Sequence, residues 1–393
     1  MTRIFSTAGG ADSRVSRQLL YSGAPVYRDK SFLGISAWYL PWMASTFPVE
    51  IDRSLYSYNR YCFVATASQP SVGCSWGYIN RTQGAYDWTY MDQWVNYHAS
   101  RGVDLLYSVG APCPIWGNPS STNVIKFIYS GANINMCKEF PAPQYFCDWV
   151  TQVGTRYKGK IKYWLVANEP LFAGNPAYEY VGTAADLAVL NRLAYQILKS
   201  IDPNNKIMGP ESSNIDDTKL SICIGPYMTA SAAGYDAGFG DGAGTFGKNW
   251  LDYLGFHPYT AAPDNRDQPY LNAIPDANGK NNYIKLKDYL TSIGVGGLPL
   301  WAGEIMYMPT NGSDEYAFMI RHAVIAAIYG VEKMTWFDTG GSNSDYFKNT
   351  TEGGQARTAI AQMMKILASG ITQVDIMTDN SLRVITLQGT YYV

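Results

Sequence analysis

The chain has 393 residues, a formal charge of −2 and only 16% charged residues, so no basic field is present to gather nucleic acid or an anionic membrane surface. With 47% apolar residues it can bury a large core, yet no apolar run approaches the roughly 18 residues of a membrane span. The cysteines at 62, 74, 113, 137, 147 and 223 form no CxxC or zinc spacing, and the 3 histidines form no HExxH, so neither type supplies a familiar metal motif.

In chain order, residues 1–30 lack the 7–15-residue apolar centre of a secretory leader and read as a lead-in arm; compartment is left unassigned. Eight short apolar, β-branched or aromatic runs follow, at 31–38, 58–65, 103–110, 161–167, 205–210, 252–257, 298–303 and 332–337. Between them lie helical patterns at 89–101, 145–157, 184–200, 283–293, 315–329 and 355–368, with Thr183 as an N-cap and Gly330 as a stop. Eight such units predict an α/β (β/α)₈ TIM barrel over 31–369. Residues 370–393 alternate apolar and polar about Asp379-Asn380-Ser381 and predict a short β-hairpin or partial accessory β element packed on the barrel.

Three further features stand apart. Gly242, Gly244 and Gly247 make a formal GxGxxG that neither follows a strand nor opens a helix, so it reads as a flexible loop and not a dinucleotide site. Cys62 and Cys74 flank a loop and are spaced to allow a disulfide, although connectivity is not readable from sequence. Asn80, Asn311 and Asn349 begin glycosylation tripeptides.

The chemistry lies at the strand ends. Glu169, in Asn168-Glu169-Pro170, ends the fourth run; Glu304 ends the seventh, 304 − 169 = 135 residues later, or three β–α units. Two carboxyl groups facing across a sugar-sized cleft are the minimum machinery for glycoside hydrolysis. His257 and Tyr259 end the sixth run. A lone histidine in an apolar strand is ordinarily a satisfied core residue, but its place in the unit before Glu304 points to the site. Trp336, Trp116 and Trp38 follow or end the eighth, third and first runs, where rings stack on sugars. Arg60 in the second run reads as a buttress for the nucleophile or as a structural ion pair.

The motif Asn168-Glu169-Pro170, with Glu304 in the correct unit and Phe256-His257-Pro258-Tyr259 ahead of it, resembles clan A of the glycoside hydrolases. Over 31–340, Arg60, Tyr86-Asp87-Trp88, GVDLLYSVGAPCPIW, KIMGPESS and DYLGFHPYT are most similar to family 39, the β-xylosidase and α-L-iduronidase group. The resemblance implies Glu169 as acid/base, Asn168 on the sugar 2-hydroxyl, Glu304 as nucleophile and Tyr259 bonded to that nucleophile. It further implies His257 on the sugar or the acid/base, and Trp336 as a floor under the sugar. The chain departs from the family at Cys62, where a histidine is usual, so the family's sugar specificity does not carry over. The expected function is retaining, endo-acting hydrolysis of a polysaccharide or oligosaccharide, with no cofactor, metal, nucleic acid or membrane span. The rival is a virion- or surface-associated barrel that grips glycan without cleaving it.

Overall fold

The computed structural model describes residues 16–37, 58–61, 73–110, 112–122, 124–129, 132–170, 172, 182–259, 272–305, 315–338, 351–378 and 381–393. Eight strands close a barrel: β1 (Leu33–Ala37), β2 (Tyr58–Tyr61), β3 (Asp104–Ser108), β4 (Tyr163–Leu165), β5 (Lys206–Ser212), β6 (Tyr253–Phe256), β7 (Leu300–Ile305) and β8 (Val331–Asp338). Every neighbouring pair is parallel, and β8 closes on β1 with Trp336 opposite Ile35. Each strand falls within or across one of the eight predicted runs.

Among the described residues, six longer helices cover the barrel: α1 (Thr89–Ala99), α2 (Pro143–Arg156), α3 (Ala184–Ile201), α4 (Asn282–Ser292), α5 (Glu315–Ile328) and α6 (Thr351–Ala368). The start of α3 is a capping box: Thr183 Oγ1 accepts from the Asp186 amide at 3.1 Å, and Asp186 accepts from the Thr183 amide at 2.8 Å. Such a cap is worth about 1 kcal/mol. Its apolar stripe, Leu187, Leu190, Leu193, Ala194, Ile197 and Leu198, is buried throughout. Gly330 ends α5 at φ +78°, a backbone angle that favours glycine.

Two insertions were not legible in the periodicity. Between β3 and α2, Cys113–Pro114, Val124–Tyr129 and Ala132–Cys137 form a three-stranded antiparallel sheet. Between β5 and β6, helical turns run from Asp217 to Thr229, with a π-type turn over Leu220–Ile224 before Pro226. At the chain ends, Ser16–Val26, Ile371–Met377, Leu382–Thr386 and Gly389–Tyr392 form a four-stranded antiparallel sheet in that order. The accessory β element is therefore larger than a hairpin. Residues 16–26, expected as a lead-in arm, supply its edge strand, and residues 379 and 380 of the expected turn lie outside the described residues. Arg28 fastens the following segment to the barrel through the carbonyls of Ala327 and Val331.

Among the described residues, many aromatic rings are internal. Tyr86, Trp88, Trp149 and Trp76 stack in series at centroid separations of 5.4, 5.6 and 5.6 Å. Inside the barrel, Leu106, Tyr163, Leu165, Met208 and Trp301 pack together. Lys333 Nζ lies over the Tyr163 and Trp301 rings and donates to the Ser31 carbonyl, which fills the end where the strands begin. The opposite end, where the strands finish, holds the polar residues.

The glycine-rich stretch is not a loose loop. The buried Arg192 guanidinium donates to the carbonyls of Gly240 and Tyr235 at 2.6 and 2.5 Å, while Asp236 accepts from the amides of Gly238 and Gly240. Asn80 is buried and its amide donates to the Thr82 and Ala85 carbonyls, which removes it as a glycosylation acceptor. Asn311 and Asn349 lie outside the described residues. Cys74, Cys113, Cys137, Cys147 and Cys223 are free and buried; Cys62 lies outside the described residues, so the proposed partner of Cys74 is not seen.

Candidate active site

Parallel strands deliver their terminal residues to one face of a barrel. Glu169 follows β4 by four residues, Glu211 is next to last in β5, His257 directly follows β6, and Glu304 is next to last in β7. Glu304 is 8% exposed and the Glu169 side chain 29% exposed, so Glu169 is the more open to solvent. Asn168 is buried beside it.

One short segment engages both candidate carboxylates. His257 Nδ1 lies 2.6 Å from Glu169 Oε1, and the Tyr259 hydroxyl donates to Glu304 Oε1 at 2.8 Å. The two rings meet edge to face with centroids 5.9 Å apart. Because His257 and Tyr259 are two residues apart, they gather the ends of β4, β6 and β7 into one cluster. Among the described residues, no group of three His, Cys, Asp or Glu is arranged to hold a metal ion.

His257 is fully buried, and burial alone would strip its charge. The negative fields of Glu304, Glu169 and Glu211, with the hydrogen bond to Glu169, outweigh that and raise its pKa to about 10. The other two histidines behave oppositely. His98 and His322 are buried beside Arg101 and Arg321, and desolvation lowers each to about 3. They are neutral structural residues.

Glu211 was missed by sequence reasoning. It has no solvent exposure, and its Oε1 lies 3.3 Å from His257 Nε2. The β5–β6 register slips at this point, so that Gly255 pairs with Pro210 but Phe256 with Ser212. The slip leaves Glu211 at φ +50° and turns its carboxylate against Gly303, where a Cβ would meet Oε1 at 1.9 Å. The available signal was an acidic residue in an apolar strand together with a glycine directly before Glu304.

The aromatic assignments fare less well. Trp336 is fully buried and turned toward Phe318 of α5, with centroids 6.5 Å apart, so it offers no open face as a sugar floor. Trp116 is half-buried; its Nε1 donates to the Asn80 carbonyl, and its ring meets Trp76 and Tyr145 edge-on. Those contacts place it in the aromatic layer outside β3. Trp38 lies outside the described residues, as does the side chain of Arg60, whose backbone is in β2.

Residues 72–208 match the sequence profile of glycosyl hydrolase family 10, a stretch that includes Asn168 and Glu169 and ends before Glu211 and Glu304. No curated protein sequence matches the chain. Among solved structures, a glucosidase from Croceicoccus marinus is similar at a TM-score of 0.55 and 15% identity, over 93% of this chain and 74% of that one. Xylanase 10B from Thermotoga petrophila gives 0.51 and 14%, over 85% and 95%. A family 39 glycoside hydrolase from Bacteroides cellulosilyticus gives 0.54 and 14%, over 92% and 70%. At these identities the likeness is one of fold. The family profile is that of family 10, and the expected preference for family 39 is not singled out. The chain therefore has a (β/α)₈ barrel fold like that of these glycoside hydrolases, and its residues 72–208 match the profile of family 10.

Proposed function

We propose that the protein is a retaining glycoside hydrolase acting on a polysaccharide or oligosaccharide. The observation that carries this reading is the bridging of Glu169 and Glu304 by His257 and Tyr259 at the finishing end of the barrel. In the proposed cycle, Glu169 protonates the leaving oxygen while Glu304 attacks the anomeric carbon. Tyr259 holds the angle of the Glu304 carboxylate. Water, deprotonated by Glu169, then releases the sugar from the glycosyl-enzyme. Asn168 is assigned to the sugar 2-hydroxyl, a contact that strengthens as the ring flattens. Retention corresponds to carboxyl groups about 5–5.5 Å apart, and inversion to about 6.5–9.5 Å. The xylanases and glucosidase among the neighbours make xylan and glucosides the first substrates to try.

The test uses two variants. Glu304→Gln removes the nucleophile and should abolish turnover. Glu169→Ala should lose about 10²–10⁴-fold on ordinary glycosides, the usual worth of a general acid, and much less on a dinitrophenyl glycoside that leaves unprotonated. Azide added to Glu169→Ala should give a glycosyl azide of the substrate's configuration; added to Glu304→Ala it should give the opposite anomer. The same anomer from both variants would overturn the assignment.

A further inference from the structure

We propose that Glu211 is a positioning residue that, through a doubly protonated His257, fixes which oxygen of Glu169 carries the reacting proton. The proposal rests on the acid/base reading of Glu169.

The geometry leaves the imidazole little choice. Nδ1 faces Glu169 Oε1 at 2.6 Å and Nε2 faces Glu211 Oε1 at 3.3 Å, inside a ring with no solvent exposure. A neutral imidazole has one N–H and one lone pair, so one nitrogen would turn a lone pair toward a carboxylate oxygen. An imidazolium donates to Glu169 through Nδ1–H and sets its positive charge 3.3 Å from Glu211 Oε1, a contact within ion-pair range though out of line for a hydrogen bond. The groups facing it are Glu169 from β4, Glu211 from β5, Glu304 from β7 and the Tyr259 ring from its own segment. Behind Glu169, the Cys223 thiol donates to the Pro170 carbonyl at 3.3 Å, and burial, more than the nearby carboxylate, pushes its pKa to about 12, so it stays protonated.

The backbone is built around the same pair. Glu169 and Glu211 are the non-glycine residues with positive φ among the described residues, at +45° and +50°. The Glu169 amide donates to the Glu211 carbonyl at 3.1 Å, and the His257 amide to the Ser212 carbonyl at 2.7 Å. Gly303 supplies the space for the Glu211 carboxylate directly before Glu304. A carboxylate taken this far from water requires a charged partner, and the His257 ring lies 3.3 Å from it.

The consequence is an asymmetry in Glu169. Its Oε1 is occupied by the Nδ1–H donor, so the proton given to the leaving oxygen comes from Oε2–H. The Glu169 carboxylate left behind keeps the imidazolium contact on Oε1. In the second step Oε2 takes a proton from water as the water oxygen attacks the glycosyl-enzyme. His257 keeps both protons throughout, and Glu211 touches no substrate.

Because the chain has three histidines, ¹⁵N-histidine labelling reads this ring directly. At pH 8 His257 should give the two-N–H pattern of an imidazolium, while His98 and His322 give neutral patterns. In Glu211→Gln, His257 should lose its second proton at lower pH than in the wild type. The same variant should widen the kcat/KM ratio between dinitrophenyl and unactivated glycosides by about tenfold or more, a fraction of the general-acid contribution. Glu211→Asp, which keeps the charge, should recover part of both effects, and a merely structural residue would not change the leaving-group ratio. A neutral His257 in the wild type at pH 8 overturns the proposal even if Glu211→Gln does not fold. So does a Glu211→Gln variant whose titration and leaving-group ratio both match the wild type. The spectra need no substrate, so failure to hydrolyse any glycan would count against the hydrolase reading and leave this measurement intact.

Discussion

Glu169 and Glu211 stand in left-handed backbone, which costs a side-chain-bearing residue about 1–2 kcal/mol each. Such angles persist where surrounding bonds over-determine them, and the amide of Glu169 on the Glu211 carbonyl is one of those bonds. The histidines give this part of the molecule a distinct pH response. His257 has a folded pKa raised above 6.5 to about 10, so its contribution is fully present below 6.5 and lost as pH rises through 10. His98 and His322, lowered to about 3, act in the other sense: the unfolded chain takes up their protons first, so stability falls as pH drops from 6.5 toward 3. Histidine-linked stability should therefore peak near neutrality. Thermal unfolding from pH 4 to 10.5 checks this, and Glu211→Gln should move the alkaline slope to lower pH. The clustering of Asn168, Glu169, His257, Tyr259 and Glu304 was legible because each sits at a strand end in a short motif. Glu211 was not, since its direction depends on a register slip between β5 and β6. The burial of Trp336 was not legible because it depends on a helix that packs across the ring.

At the scale of elements, the strands were readable because parallel barrel strands are continuous apolar runs, and α3 because its cap and stripe agree. The glycine-rich segment misled because glycine permits both loose and tightly specified backbone. Here Gly238, Gly240, Gly242 and Gly244 occupy φ from +75° to +91°, and Arg192 of α3 binds the loop's carbonyls from inside. Desolvation pulls the Arg192 pKa down while Asp241 and Asp236 pull it up, so the charge is matched from the loop itself. Replacing Arg192 with Met should cost about 1.5–3 kcal/mol, the scale of a hydrogen bond from a charged group. Urea unfolding measures the cost, and hydrogen exchange at Gly238, Gly240 and Ala243 should accelerate selectively. Unchanged exchange there would show that the loop holds itself.

For the whole molecule, the barrel and the terminal sheet share one apolar core: Val374, Ile376, Leu382 and Val384 are fully buried and continuous with the residues packed around the barrel. The sequence showed alternation after residue 370 but not that residues 16–26 complete the sheet, because that strand is mostly exposed and carries no regular apolar period. Deleting residues 371–393 should therefore lower the Tm of the entire barrel in one transition and promote aggregation through the newly unpaired strand 16–26. Calorimetry and sedimentation check both outcomes; a barrel that melts unchanged would show the sheet to be an independent appendage. The pairing of Ser16 with Met377 also has a meaning in time. On the ribosome the early strand emerges long before its partner exists, and β1 waits similarly for β8. Two edges stay open through most of the synthesis of residues 16–377, so the nascent chain is at its most adhesive until β8 and the strand 371–377 emerge to close them.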